Sequence, residues 1–97
     1  DLLKIGNNCI VSYGVYFACH GPRQGHFPIV IEDGVYIGMA ARVILGKSEN
    51  HEGLDITIGK NAYIGACTLV NKNIPAGAVA VGVPCRVIRI ETEESNS

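Results

Sequence analysis

Three histidines, His20, His26 and His51, are the residues of this 97-residue sequence best suited to moving protons. An unperturbed imidazole changes charge between pH 5 and 8, so a neutral one can take a proton from an attacking hydroxyl and later return it. A base so placed contributes about 10²–10⁴ in rate. Lys72, Arg86 and Arg89 supply positive charge, and an arginine can hold a phosphate through two parallel hydrogen bonds. Four cysteines (Cys9, Cys19, Cys67, Cys85) lie 10, 48 and 18 residues apart, with no CxxC or zinc-ribbon spacing. Cys19 beside His20 suggests a thiol–imidazole pair, but neighbours along a strand point to opposite faces. Reduced cysteines acting as small hydrophobes are the better reading, and they point to the cytoplasm.

Composition narrows the classes. The formal net charge is −1, 47% of residues are hydrophobic, and no basic run or stripe offers a nucleic-acid footprint. No apolar stretch approaches the ~18 residues of a membrane span, and no signal peptide opens the chain. The length allows one domain, marginal alone because so small a fold buries only about 60–65% of its unfolded surface. The chain opens on Asp1 and a repeat starts almost at once, which reads as a piece of a longer chain lacking N-terminal coils.

The elements that must position the histidines are written in a six-residue repeat. Ile5, Val11 and Phe17 open the frame; it resumes at Ile31, Ile37 and Val43, and again at Ile58, Ile64, Val70 and Ala76. The residue after each is mostly Gly, Ser or Ala, and the fourth residue after each is mostly small or β-branched, with Lys47 breaking that column. Three short strands of β-branched residues make one triangular coil of 18 residues. The first residue of each unit points inward and stacks on its equivalents, and the small residue beside it turns the corner. An ordinary sandwich would need period-two alternation, which is absent. The expected fold is all-β, a left-handed parallel β-helix of three to four coils. Residues 1–90 form the domain and the polar, acidic stretch 91–97 a frayed tail.

Breaks in the frame matter as much as the frame. Ile5 to Ile31 is 8 residues more than one coil, Ile31 to Ile58 is 9 more, and Ile58 to Ala76 reads as one unbroken coil. Two loops therefore protrude, around 19–28 and 47–55, and all three histidines fall in them. Loops on a rigid scaffold are where chemistry tends to sit. Pro84 cannot donate to a ladder and ends the last coil, and Val87-Ile88-Arg89-Ile90 reads as a strand leaving it.

Three segments carry a family resemblance: the repeated Ile-Gly units with Ile64-Gly65-Ala66, Asn73-Ile74-Pro75-Ala76-Gly77, and Gly82-Val83-Pro84-Cys85-Arg86-Val87-Ile88. Over residues 5–90 the chain resembles the hexapeptide-repeat acyltransferases, in particular the galactoside and maltose O-acetyltransferase branch, and is similar to serine acetyltransferase. The resemblance implies transfer of an acetyl group from acetyl-CoA, without a metal, to a hydroxyl of a sugar or other small molecule. It implies His20 as the general base and His26 as an acceptor-binding residue. It puts the N–H of Met39 near the thioester, Ala66, Asn71 and Lys72 along the pantetheine arm, and Arg86 and Arg89 at the coenzyme's phosphates. It also implies a homotrimer with coenzyme A between neighbouring subunits.

Each residue has a plainer alternative. His20 can cap backbone carbonyls, His26 is as readily a loop residue, and His51 lies in a polar loop that suits solvent exposure. Arg86 and Arg89 can be solvated strand residues, and Tyr36 and Tyr63 either flank a groove or cover a corner. Two other classes use the same repeat. A γ-carbonic-anhydrase-like metal hydratase places histidines on adjoining coils, whereas His20 and His26 are six apart within one loop. A non-catalytic trimeric β-helix module needs no site of its own.

Overall fold

The computed structural model describes residues 3–18, 20–21, 25–26, 28–44 and 55–90. Cys19, Lys47, His51 and the expected tail 91–97 lie outside the described residues. The aliphatic residues of the repeat form strands of two or three residues that stack by parallel pairing. The first coil contains β1 (Leu3–Ile5), β2 (Ile10–Val11) and β3 (Tyr16–Phe17). A two-stranded ribbon follows, β4 (His20–Gly21) and β5 (Gly25–His26). The second coil is β6 (Ile29–Ile31), β7 (Tyr36–Ile37) and β8 (Arg42–Val43); the third is β9 (Ile56–Ile58), β10 (Tyr63–Ile64) and β11 (Leu69–Val70). The chain closes with β12 (Ala78–Val81) and β13 (Arg86–Ile90).

Equivalent strands build the three faces of a prism. Face A is β1-β6-β9, face B is β2-β7-β10-β12-β13, and face C is β3-β8-β11. All these pairings are parallel except β12 with β13, where the chain reverses after Gly82–Cys85 and adds an antiparallel strand to face B. The strand expected after Pro84 is therefore present. The described residues contain no helix, and so none long and apolar enough to cross a membrane.

Inside the prism Ile31, Ile37, Val43, Ile58, Ile64 and Val70 are at most 1% exposed. Each such side chain contributes about 1.5–3 kcal/mol on leaving water. Val35, Ala41, Ala62, Thr68 and Ala78 fill a second, narrower set of inward positions. Cys85 is buried with them and Cys9 packs against them, as small hydrophobes would.

Two expectations are corrected. Ile5 pairs with Ile31, Ile31 with Ile58, and Ile58 is bridged by Ile74, only 16 residues on, so Ala76 does not occupy the inward position. Two residues are missing between Val70 and Ile74, and the frame shifts accordingly: Ala80, not an eighteen-residue equivalent, stands beside Ile64. The larger apolar residue takes the core and the alanine takes the corner. Secondly, the corner is not turned at the small residue beside the inward aliphatic. It is turned two residues later, at Asn8, Gly14, Gly34, Ala40, Asn61, Cys67 and Gly77, all with φ between 59° and 77°. The adjacent glycine is required for another reason. A Cβ on Gly38 would sit 2.6 Å from the Ala66 backbone nitrogen, and one on Gly59 would collide with the backbone of Ala76. The next coil crosses directly over these glycines.

Candidate functional site

The three departures from the regular coil length fall where face C hands over to face A. β3 ends at Phe17 and β6 begins at Ile29; β8 ends at Val43 and β9 begins at Ile56; β11 ends at Val70 and Ile74 already bridges Ile58. The histidine ribbon, the second insertion and the pair Asn71 and Lys72 thus spring from one edge of the prism. Within the ribbon His20 is the register partner of His26, and Gly21 of Gly25. The two histidine candidates are brought opposite one another along the backbone. Asn71 is half-buried and Lys72 exposed.

The opposite border of face C, shared with face B, carries Met39 and Ala66. The Ala40 N–H donates to the Tyr13 carbonyl at 2.9 Å and the Cys67 N–H to the Met39 carbonyl at 2.8 Å, so Tyr13, Met39 and Ala66 occupy successive levels of one edge. The N–H groups of Met39 and Ala66 themselves meet no acceptor among the described residues. The Leu69 N–H donates to the Gly82 carbonyl and the Cys85 N–H to the Leu69 carbonyl, which continues this edge upward to Gly82. Arg86 comes next, opposite Val81, and Arg89 lies further along β13 opposite Val79. The predicted binding residues therefore fall into three groups: Met39 and Ala66 on one border of face C, Asn71 and Lys72 on the other, and the two arginines on the closing strand.

Face C lies between these borders. Tyr16, Arg42 and Leu69 are register partners on its outer side. A groove of about 590 Å³ runs from Gly14 and Tyr16 past Arg42 to Ile44 and Leu69. A smaller hollow of about 260 Å³ adjoins it, bordered by Ala40, Arg42, Cys67, Thr68, Leu69 and Val83. Thr68 is 1% exposed, and its hydroxyl has no hydrogen-bond partner among the described residues. On face B, Tyr36 and Tyr63 stack with ring centroids 4.7 Å apart and 9° between planes, so they line a face and do not cover a corner.

No protein-family model matches the chain. It is 37% identical over 97 aligned positions to galactoside O-acetyltransferase of Escherichia coli K12, covering 90% of this chain and 43% of that one. It is 34% identical over 88 positions to 2,3,4,5-tetrahydropyridine-2,6-dicarboxylate N-acetyltransferase of Staphylococcus aureus strain Newman, covering 91% of this chain and 33% of that one. The crystal structure of Neisseria gonorrhoeae serine acetyltransferase superposes on 98% of the chain and 34% of its own length, with TM-score 0.78 and 30% identity. The homologues of this chain are hexapeptide-repeat acetyltransferases. The fold is their left-handed parallel β-helix, as the repeat predicted. The chain spans less than half the length of these hexapeptide-repeat relatives.

Sequence reasoning about the hexapeptide repeat overlooked Arg42 and Thr68. The frame held a signal for both. Tyr16, Arg42 and Leu69 all stand just ahead of an inward aliphatic, so all face outward, and Arg42 is the charged member of an otherwise uncharged ladder. Thr68 takes an inward slot that Val35, Ala41 and Ala62 fill with apolar groups, which leaves its hydroxyl conspicuous.

Proposed function

We propose that this chain is the β-helix of an acetyltransferase that moves the acetyl group of acetyl-CoA to a hydroxyl of a sugar or another small molecule. The observation that carries the reading is identity of 34–37% across about nine-tenths of the chain to two acetyltransferases. His20 takes the proton of the attacking hydroxyl as its oxygen bonds to the thioester carbonyl carbon. It then returns that proton to the departing coenzyme thiolate. The N–H of Met39, bound by no described acceptor, suits a donor to the developing oxyanion. His26, the backbone partner of His20, helps to bind the acceptor.

In one copy Met39 and Ala66 are separated from Asn71 and Lys72 by the width of face C. Two copies side by side in a homotrimer bring one border of each together, and the pantetheine arm lies between them, with Arg86 and Arg89 toward its phosphates. The free thiols of Cys9, Cys67 and Cys85 suit a reducing compartment, the cytoplasm.

Release of coenzyme A thiol from acetyl-CoA, measured against sugars, serine and amines, tests the transfer. His20→Ala is expected to lower kcat by about 10²–10⁴, whereas His26→Ala raises KM for the acceptor. If neither change lowers turnover, the ribbon is not catalytic. Sedimentation with coenzyme A should give a trimer, and a monomer would sink the shared site without touching the transfer itself.

A further inference from the structure

The corners on either side of face B are each turned by a residue pair whose second member has positive φ. On the A–B corner these are Asn7-Asn8 and Asp33-Gly34; on the B–C corner, Tyr13-Gly14 and Met39-Ala40. The two corners are bonded alike: the Gly34 N–H donates to the Asn7 carbonyl and the Ala40 N–H to the Tyr13 carbonyl, both at 2.9 Å. They differ in what meets the N–H of the lower residue. That of Asn7 donates to the carboxylate of Asp33, one level above, at 2.7 Å. That of Tyr13 lies one level below Met39, whose side chain has no oxygen, and it meets no acceptor among the described residues. The first corner shows what such an N–H binds, a carboxylate brought in from the next level. Gly6, having no Cβ, makes room there for the Asp33 carboxylate. Its counterpart before Tyr13 is Ser12, half-buried, with a hydroxyl that bonds to no described group. Two neighbouring residues thus offer one backbone donor and one side-chain donor.

We propose that this edge favours an acyl group ending in a carboxylate, which the Tyr13 N–H and the Ser12 hydroxyl take up. The inference rests on the transfer reading, which sets the coenzyme's phosphates toward Arg86 and Arg89, its arm at Ala66 and the thioester at Met39. The next level down the same edge is Tyr13, so the acyl group arrives there, while the acceptor comes from the histidine ribbon at the far border of face C. Levels stand about 4.8 Å apart. Two methylene groups between the thioester carbon and a carboxylate, extended, span such a step. The donor class is therefore a four-carbon dicarboxylic monothioester of coenzyme A. A hydrogen bond to a charged acceptor is worth more than one to a neutral group, and a terminal methyl accepts none. Acetyl is too short to reach either donor and is carried without using them. The transfer itself is unaltered: the acceptor oxygen bonds to the thioester carbon, the carbon–sulfur bond breaks, and the proton passes through His20 to the thiolate.

Calorimetric titration of the whole chain with succinyl-CoA and with butyryl-CoA, equal in acyl carbons, tests this. Succinyl-CoA is expected to bind about threefold to tenfold more tightly, the net worth of one or two such hydrogen bonds. Tyr13→Pro deletes the N–H, and proline suits the second position of a turn whose third residue has positive φ, so the fold is kept. It should bring the two affinities together. Tyr13→Ala retains the N–H and should retain the preference. Ser12→Ala removes part of the preference, and it decides the matter should Tyr13→Pro melt early. Equal affinities in the unaltered chain, or a preference that survives both Tyr13→Pro and Ser12→Ala, overturns the proposal. Thiol release from acetyl-CoA and succinyl-CoA on the same preparations keeps the two readings apart. A Tyr13-dependent preference without release from either donor would sink the transfer alone, and release from both without the preference would sink the carboxylate site alone.

Discussion

At Gly38 and Gly14 the same residue type answers two different demands. Gly14 has φ +77°, and a Cβ there would meet nothing closer than 3.8 Å, so an alanine would suffer only the left-handed backbone. That penalty is about 1–2 kcal/mol, and Ala40 and Cys67 already bear it at φ 60°. Gly38 has no left-handed φ, but its added methyl would press on the Ala66 backbone nitrogen at 2.6 Å. Backbone held by a parallel ladder cannot step aside, and overpacking of this kind costs about 1–3 kcal/mol or more. Gly38→Ala is therefore expected to lower the urea midpoint further than Gly14→Ala; the reverse order would mean that the coils can separate. The sequence made the small residue after each aliphatic plain to see but misassigned its purpose, because composition reports size and not dihedral angle. The positive-φ corners were harder to read, since asparagine, alanine, cysteine and glycine all occupy them.

Among elements, the shortened turn between β11 and the bridge at Ile74 shows how a coil is closed with two residues missing. The Asn73 side-chain oxygen accepts from the Thr57 N–H at 2.8 Å, while the Ile74 N–H donates to the Thr57 carbonyl at 3.0 Å. A side chain thus completes a ladder that the missing backbone would otherwise continue. Asn73→Ala removes that acceptor at the rim of the prism, for a cost of about 0.5–1.5 kcal/mol. Its local signature is loss of hydrogen-exchange protection at the Thr57 amide, with the Ile58 amide unaffected; an unchanged Thr57 amide would show that the contact is not needed. The two long breaks were legible because they exceed one coil by eight and nine residues. The deletion was not, since Ala76 is an acceptable apolar residue and kept the frame in apparent register. The same edge bears the histidine ribbon, so its variability is where the family resemblance located chemistry and where counting was least able to follow the chain.

The whole molecule is a stack, and a stack is only as stable as each level's neighbours. One inward column runs Val11, Ile37, Ile64, Ala80 by direct register. Ile37, Ile64 and Ala80 are fully buried, whereas Val11 is 38% exposed and Ile5, at the foot of the adjacent column, 47%. The same aliphatic pattern therefore has very different energetic weight along the axis, which hexapeptide counting cannot register because every unit looks alike in sequence. Ile37→Ala opens a cavity between two occupied levels and is expected to cost about 2–5 kcal/mol. Val11→Ala removes two methyls already partly in water, and by area its cost falls to about 1 kcal/mol or below. The amides that tie the first coil to the second, Ser12 to the Ile37 carbonyl among them, should exchange faster than that of Gly38, which donates to the Ile64 carbonyl between the second and third. Thermal melts of the two variants with native-state exchange decide the matter. Equal losses at Val11 and Ile37, with uniform exchange, would mean that the first coil is sealed in solution by a further surface, and the self-association proposed for the transferase would be the first place to look for it.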